Sequence, residues 1–320
     1  MHPIRDPQLV AGLAGFEQAV PGGINLDDIP ATRRILDGLN AAMAAMAPAI
    51  PGVVTSDHHA PGPEGAPAVL VRIYQPEDRP ATLPALLWIH GGGYVLGSVD
   101  GDDLKAKILC LSLNCVVASV EYRLAPEHPF PAPVEDCYAA LKWLAASAEE
   151  FGVNRARIAI GGASAGGGLA AGLGLLVRDR GEIDVCYQLL IYPMIDDTNV
   201  DQAGPGVPNA PVWSRASNLL GWQAYLGQEP GSAGVSPYAA ASRAEDVSGQ
   251  PPTYIGVGTP DLFREEDIAY ARRLIAADVP TELHVYTDGF HGFDAFAPES
   301  DAAQRFTAEY TRLLRRALHA

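Results

Sequence analysis

The chain has 320 residues, of which 48% are hydrophobic and 19% are charged, and its formal net charge is -16. This composition excludes a disordered chain, and the length accommodates one large α/β domain with an accessory cap. The negative charge and the lack of any stretch dense in Lys and Arg argue against a nucleic-acid partner, because phosphates would be repelled.

The N-terminal stretch does not resemble a targeting segment. Residues 1–19 lack a basic start followed by an unbroken apolar core, and no window reaches the length of a membrane span. The four cysteines, Cys110, Cys115, Cys137 and Cys186, form no C-x-x-C pair and lie in apolar stretches. This favours buried thiols over disulfides or metal ligands. We therefore expect a cytoplasmic protein with no membrane partner.

Strand patterns recur eight times along the chain. They cover residues 53–59, 68–75, 84–90, 115–121, 157–161, 187–192, 253–258 and 282–287. The second alternates apolar and polar residues, as a half-buried antiparallel strand does, whereas the last six are denser in apolar residues and suit parallel strands covered on both faces. Helical patterns cover residues 135–150, 164–178, 264–278 and 299–319. This alternation predicts a doubly wound α/β fold, with an eight-stranded, mostly parallel sheet flanked by helices.

Two segments fall outside this alternation. Residues 1–50 carry helical patterns before any strand, and residues 197–240 form a long excursion punctuated by Pro and Gly, with a short helical pattern at Ser214–Leu226. A long excursion after a strand of a parallel sheet is often functional. We expect both segments to form a helical cap over the strand ends, so that residues 51–196 and 241–320 make up the catalytic core.

The clearest chemical signal is the run Gly162-Ala163-Ser164-Ala165-Gly166, which follows a strand and opens a helix. Strand, sharp turn and helix are the context that the G-x-S-x-G nucleophile elbow requires, and the helix N-terminus favours developing negative charge. Taken alone, the run also fits a Gly/Ala-rich turn with a serine N-cap. The overlapping run Gly166–Ala171 fits a dinucleotide-binding pattern, but it begins after the turn, where a phosphate would face the helix interior.

A second motif, His90-Gly91-Gly92-Gly93, follows the third strand. Consecutive glycines expose backbone N–H groups without side-chain obstruction, as stabilising a tetrahedral oxyanion requires. A merely flexible loop is the alternative, but the position after the third strand together with the elbow favours an oxyanion loop. Because His90 leads this loop, we expect His90 and Gly91 to support it, and we do not expect His90 to transfer protons.

Two further residues complete a catalytic set. Asp261 lies just beyond strand 253–258, and His291 lies just beyond strand 282–287. The carboxyl ends of parallel strands meet at one sheet edge, so both should lie near Ser164. The chain order Ser, Asp, His is the α/β-hydrolase order. We predict that His291 accepts the Ser164 proton and that Asp261 orients the imidazole.

Other histidines and acids fit this role less well. The competing histidines lie inside a strand, in the first strand pair or before a proline in a loop: His284, His58, His59 and His128. Asp267 and Asp288 are near Asp261 and His291 in sequence, but we expect both to be solvated.

With these motifs placed, the chain resembles the hormone-sensitive-lipase family of bacterial carboxylesterases (bacterial family IV), within the α/β-hydrolase superfamily. The residues that carry the resemblance are His90–Tyr94 (HGGGY), Glu121–Glu127 (EYRLAPE), Gly162–Gly167 (GASAGG), Asp261 and Phe290–Phe293 (FHGF). The match covers roughly residues 53–320. Ala163 departs from the family pattern, which commonly has Asp or Thr before the nucleophile, so no preference for acyl chain length is carried over from either subgroup.

The resemblance implies specific roles. Ser164, Asp261 and His291 match the triad, and the N–H groups of Gly92, Gly93 and Ala165 match the oxyanion donors. It also implies hydrolysis of short- to medium-chain acyl esters, no metal or cofactor, and frequent homodimers. We expect Arg123 and Glu127 to tie a loop near the active site through charge-assisted hydrogen bonds.

The substrate pocket is less well defined by the sequence. Its candidate wall residues, each of which fits the core equally well, are Tyr94, Tyr192, Met194, Trp213, Leu219, Leu262 and Phe290. The expected reaction is acyl transfer from a small-molecule ester through an acyl-enzyme. Because a histidine must be neutral to act as a base, activity should rise through roughly pH 6–7.

Two alternatives stay open. An arylformamidase or a small amidase can share the triad and the glycine-rich loop. A non-catalytic ligand-binding protein, as in the plant gibberellin receptors, uses the same scaffold without a working triad. A peptidase of the prolyl-oligopeptidase type is disfavoured because the chain has no room for a propeller, and a true lipase because no extended apolar lid is evident.

Overall fold

A computed structural model describes residues 4–46, 49–201 and 210–320. Residues 1–3 and 47–48 of the predicted N-terminal cap segment, and residues 202–209 of the predicted cap insertion, lie outside the described residues. The strands are β1 (Val53–Ala60), β2 (Val69–Pro76), β3 (Leu83–Ile89), β4 (Val116–Glu121), β5 (Val153–Ala163), β6 (Tyr187–Ile191), β7 (Thr253–Gly258) and β8 (Thr281–Tyr286).

Over the described residues, eight strands form one sheet in the order β1-β2-β4-β3-β5-β6-β7-β8. β2 is antiparallel to both β1 and β4, and the remaining neighbours are parallel. This confirms the predicted α/β class with a mostly parallel sheet. The alternation in β2 also holds, because Val69, Val71 and Ile73 are buried whereas Leu70 and Arg72 are half-buried.

The helices lie before the first strand, between the strands and after the last one. They are α1 (Pro7–Ala19), α2 (Ile29–Met46), α3 (Asp103–Leu113), α4 (Ala132–Ala146), α5 (Ala148–Phe151), α6 (Ala165–Arg180), α7 (Arg215–Leu226), α8 (Arg264–Ala276), α9 (Phe293–Phe296) and α10 (Asp301–Leu318). The helix predicted over 135–150 ends at Ala146, and α5 follows it as a separate turn. The sequence patterns do not predict α3.

Helices cover both faces of the sheet, which explains the apolar density of the central strands. In β3, Ala85, Leu87 and Ile89 pack in the core shared with α4, α6 and α8. Leu86 and Trp88 point to the opposite core, shared with α3 and α10. The C-terminal ends of these parallel strands therefore meet at one edge, held rigidly from both sides.

The helix predicted over residues 299–319 is confirmed as α10, and it buries one apolar stripe. Phe306, Tyr310, Leu313, Leu314 and Leu318 of α10 are all buried. Within the described ranges, no helix combines the length and the apolar character needed to cross a membrane. The four thiols are free: those of Cys110, Cys115 and Cys137 are buried and that of Cys186 is half-buried.

Candidate active site

Ser164 sits on the sharp turn between β5 and α6. Its φ is 57°, a left-handed conformation that non-glycine residues rarely adopt. Glycines make the turn feasible: a Cβ on Gly162 would lie 2.4 Å from the carbonyl carbon of Gly166, and a Cβ on Gly166 would lie 2.1 Å from the Ile89 oxygen. The elbow thus packs directly against the end of β3, and its small residues allow this close approach.

Ser164, His291 and Asp261 come together in one hydrogen-bonded chain. The Nε2 atom of His291 lies 2.9 Å from the Ser164 Oγ, and its Nδ1 lies 2.9 Å from the Asp261 Oδ2. The other Asp261 oxygen accepts the backbone N–H of Phe263 at 2.9 Å. Asp261 is fully buried and the other two side chains nearly so. A carboxylate on Nδ1 fixes the tautomer in which Nε2 is free to accept the hydroxyl proton.

The glycine loop lies beside this serine. A Cβ on Gly91 would be 2.9 Å from the Ala163 oxygen and 3.4 Å from the Ser164 Cβ. The φ angles of Gly92 and Gly93 are 119° and 58°, and the N–H groups of both donate no hydrogen bond in the part of the chain that the structure describes. Ala165 is the first residue of α6, and an N–H at this position has no partner within the helix. These N–H groups belong to two segments that adjoin the serine: the glycine loop, whose Gly91 contacts Ser164, and the start of α6.

His90 packs under the glycine loop and makes no bond to Ser164. Its Nδ1 is 2.8 Å from the Gly91 oxygen, and its ring stacks on Tyr122 with centroids 4.2 Å apart. The Tyr122 hydroxyl donates to the His90 carbonyl at 3.0 Å. These contacts anchor the start of the loop.

Two arginines stabilise the segment Glu121–Glu127. Arg123 donates to both oxygens of the buried Asp136, at 2.8 and 2.7 Å. Glu127 accepts two bonds from Arg33 of α2, at 2.8 and 2.9 Å. Arg33 also donates to the carbonyl of Val95, just after the glycines, at 2.7 Å. Arg33 could not be predicted from the sequence, because its partners lie far along the chain and no local pattern marks it.

The candidate pocket walls are mostly enclosed. Tyr94, Tyr192, Met194, Trp213, Leu262 and Phe290 are each at most 5% exposed, and Leu219 is half-buried. Tyr94 stacks on Tyr225 with centroids 4.0 Å apart and donates to the Met194 carbonyl at 2.5 Å. The Trp213 ring lies directly against Gly93. Trp213 is therefore a candidate wall residue that contacts the glycine loop.

Asp267 differs from the sequence-based expectation. We expected a solvated side chain, but Asp267 is fully buried in α8, and neither carboxylate oxygen has a hydrogen-bond partner within the described residues. Burial raises its pKa well above the usual range, and the charges of Glu266 and Asp261 raise it further. Asp288 is half-buried and accepts the backbone N–H groups of Arg5 and Asp6, at 2.8 and 3.0 Å. Neither acid contacts His291.

Within the described residues, one group of metal-ligating residue types comes together. Glu282, His284 and Glu309 place ligand atoms within 4.8 Å of one another. Glu282 is paired with Arg316 at 3.1 Å and Glu309 with Arg312 at 2.6 Å. Because guanidinium groups already balance these carboxylates, we assign no metal to the cluster.

Known proteins resemble this chain over most of its length. A model of the alpha/beta hydrolase fold matches residues 86–295. Carboxylesterase NlhH of Mycobacterium tuberculosis (strain ATCC 25618 / H37Rv) is 35% identical over 306 residues, covering 92% of this chain and 94% of NlhH. Esterase LipI of the same strain is 35% identical over 323 residues, covering 99% and 96%. The solved structure of a bacterial heroin esterase superposes with a TM-score of 0.93 at 41% identity, covering 98% of both chains.

Proposed function

Because the chain belongs to the alpha/beta hydrolase fold family, and within it to the carboxylesterases of hormone-sensitive-lipase type, we propose that it cleaves small-molecule carboxylic esters with a Ser164–His291–Asp261 triad. The observation that carries this proposal is the continuous chain of 2.9 Å contacts from the serine hydroxyl through the imidazole to the buried carboxylate.

The proposed reaction proceeds through an acyl-enzyme. His291 Nε2 accepts the Ser164 proton as the Oγ attacks the ester carbonyl, and the protonated imidazole then gives this proton to the departing alcohol. Water, deprotonated by the same imidazole, attacks the acyl carbon and releases the acid. Asp261 stabilises the imidazolium in both steps. As the bond between the acyl carbon and the Ser164 Oγ breaks, the imidazolium returns its proton to the Oγ, which regenerates the serine.

We assign the oxyanion donors to the N–H groups of Gly92, Gly93 and Ala165. Two observations support this assignment. Gly91 contacts Ser164, and the N–H groups of Gly92 and Gly93 have no acceptor among the described residues. Donors aimed at the developing negative charge act without reorganising, and each contributes roughly 10²–10³ in turnover.

We propose that the described parts of residues 1–50 and 197–240 form the cap. Two contacts support this assignment: the Ser217 Oγ of α7 donates to the Ile24 carbonyl at 2.6 Å, and the Trp213 ring abuts Gly93. A large indole beside the oxyanion loop leaves less room for the acyl group. The proposed substrates are therefore esters of short- to medium-chain acids.

The test is turnover of p-nitrophenyl esters from acetate to palmitate by wild type and Ser164→Ala. We expect a maximum at short or medium chains and a loss of at least about 10³-fold in kcat for the variant. Ser56→Ala is a matched control, because Ser56 Oγ also lies 2.8 Å from a histidine, His58, but on β1 and outside any elbow. Equal turnover by wild type and Ser164→Ala would refute the triad.

A second arm uses matched anilide and formamide substrates. Turnover of the formamide faster than the ester would assign the chain to formamide hydrolysis. We expect the ester to be preferred.

A further inference from the structure

An ion pair between the half-buried Lys105 and the buried Asp294 lies next in sequence and structure to the histidine of the proposed triad, because Asp294 comes three residues after His291. The Lys105 Nζ of α3 donates to the Asp294 Oδ2 of α9 at 2.9 Å and to the Tyr310 hydroxyl of α10 at 2.8 Å. The Asp294 side chain is 2% exposed. Burial is the largest influence on both groups and disfavours their charged forms. The Lys105 charge and the hydrogen bonds from Tyr192 and Lys105 together outweigh it and lower the pKa of Asp294. The Asp294 charge and the contacts with Tyr310 likewise raise the pKa of Lys105. Both groups are therefore charged at neutral pH.

Tyr192 connects this ion pair to the imidazole. Its hydroxyl donates to the Asp294 Oδ1 at 2.7 Å, and its ring lies edge-on to the His291 ring with centroids 4.7 Å apart. Tyr192 follows β6 with a φ of 34°, which is unfavourable for an aromatic residue, and its N–H donates to the Gly256 carbonyl at 2.8 Å. The surrounding contacts must stabilise this conformation, and strained residues of this kind cluster at functional sites.

The other aromatic ring that contacts the imidazole, that of Phe263, has no polar group through which it could be held. The Phe263 ring meets His291 edge-on with centroids 5.1 Å apart, and its side chain is apolar. Asp294 lies three residues after His291. Tyr192 therefore contacts the imidazole directly and, through Asp294, holds the short helix that follows it.

We propose that Tyr192, held by Asp294 and Lys105, is a positioning residue that fixes the His291 imidazole for proton transfer to and from Ser164. This inference rests on the proposed triad. The ion pair then contributes to the reaction by keeping the imidazole in place. An imidazole displaced by about 1 Å loses much of the rate enhancement that correct positioning provides. It also revises the expectation that Tyr192 is simply a pocket wall.

Removing the charge of Lys105 and removing that of Asp294 should shift the pH dependence of activity in opposite directions. The titratable or charged groups on the elements around His291 come from the segments that follow β6 and β7 and from α8, α9, α3 and α10. They are Tyr192, Asp261, Asp267, Asp294, Lys105 and Tyr310. Lys105 and Asp294 carry opposite charges and lie 2.9 Å apart, so their effects on the imidazole oppose each other. Removing Lys105 leaves a negative charge that stabilises the imidazolium, and removing Asp294 leaves a positive charge that destabilises it.

The experiment compares Tyr192→Phe, Lys105→Met, Asp294→Asn and the Lys105→Met/Asp294→Asn double variant by kcat, KM and the pH dependence of kcat/KM. We expect Tyr192→Phe to lower kcat by about 3- to 30-fold with KM within twofold. The acid limb should move to higher pH in Lys105→Met and to lower pH in Asp294→Asn, each by about half a pH unit, and return towards wild type in the double variant.

Tyr254→Phe is the matched control, because Tyr254 is fully buried and its hydroxyl lies 3.4 Å from that of Tyr286, not near Asp294. It should keep wild-type kcat. Unchanged kcat in Tyr192→Phe, or acid limbs that stay in place or move in the same direction in both charge variants, would overturn the proposal. Tyr192→Phe changes one atom, so it keeps the test valid even if a charge variant fails to fold. Full activity in Ser164→Ala would instead refute the triad itself.

Discussion

Substituting Gly93 with alanine should disable the enzyme while leaving its fold intact. A Cβ at this position would lie 2.1 Å from the Trp213 Cη2 and 2.5 Å from its Cζ2, and the φ of Gly93 is 58°. Carbon atoms normally pack at about 3.5–4.0 Å, so the loop or the indole must move by more than about 1 Å. Trp213 is itself buried and its Nε1 donates to the Asn218 Oδ1 at 3.0 Å, so the loop is the element that yields.

Such a movement takes a proposed oxyanion donor out of place. Loss of one donor costs about 10²–10³ in turnover, and a shift of about 1 Å in a catalytic group costs about 10². We therefore expect Gly93→Ala to lower kcat on p-nitrophenyl butyrate by about 100-fold or more. Its thermal transition and far-UV circular dichroism should still show a folded protein.

Gly181→Ala separates the steric effect from the cost of the backbone conformation. Gly181 ends α6 with a φ of 64°, and nothing lies within 4 Å of its Cβ position. We expect this control to lose about 1–2 kcal/mol of unfolding free energy and to keep kcat. The Gly93→Ala/Trp213→Ala double variant should recover part of the lost turnover. If Gly93→Ala keeps kcat within threefold, or if Gly181→Ala loses as much, the reasoning is wrong.

Three further predictions concern residues around the site. Arg33→Ala, which removes hydrogen bonds to Glu127 and to loop carbonyls, should lower the unfolding free energy in urea by about 1.5–3 kcal/mol and also lower kcat. Asp267→Asn should be more stable than wild type by a margin that grows with pH in urea titrations at pH 4 to 8. The raised pKa means that the folded state holds the proton which the unfolded state releases, so wild-type stability falls as pH rises above the unfolded-state value. Asp261→Asn should lower kcat by about 10⁴-fold with little change in thermal stability, because an amide favours the wrong tautomer of His291.

Much of the fold could be predicted because its signals are local. The central strands are continuous apolar runs, since both faces of the sheet are covered, and the residues of the proposed triad each follow such a run. The turn at Ser164 carries its glycines within the same five residues. Because parallel strands end at one edge of the sheet, the positions of Asp261 and His291 just after their strands are enough to predict that both lie near the serine.

Features that depend on distant contacts, or on residue patterns typical of another environment, could not be predicted from the sequence. α3 carries apolar residues on both its buried and its exposed sides, for example Leu109 inside and Ile108 outside, so it has no polar face to mark a helix. Asp267 follows two glutamates, and such a charged run is typical of a solvated helix face. The partner of Tyr192 is Asp294, about a hundred residues away, and only the assembled core brings them together.

The most direct test of the central claim is covalent labelling with a fluorophosphonate probe. The phosphorus mimics the tetrahedral carbon of acyl transfer and is attacked by an activated serine hydroxyl. We predict one adduct per chain, located on Ser164 by tandem mass spectrometry, absent in Ser164→Ala and formed much more slowly in His291→Ala. An unlabelled wild type, an adduct on another serine, or equal labelling of Ser164→Ala would contradict the account.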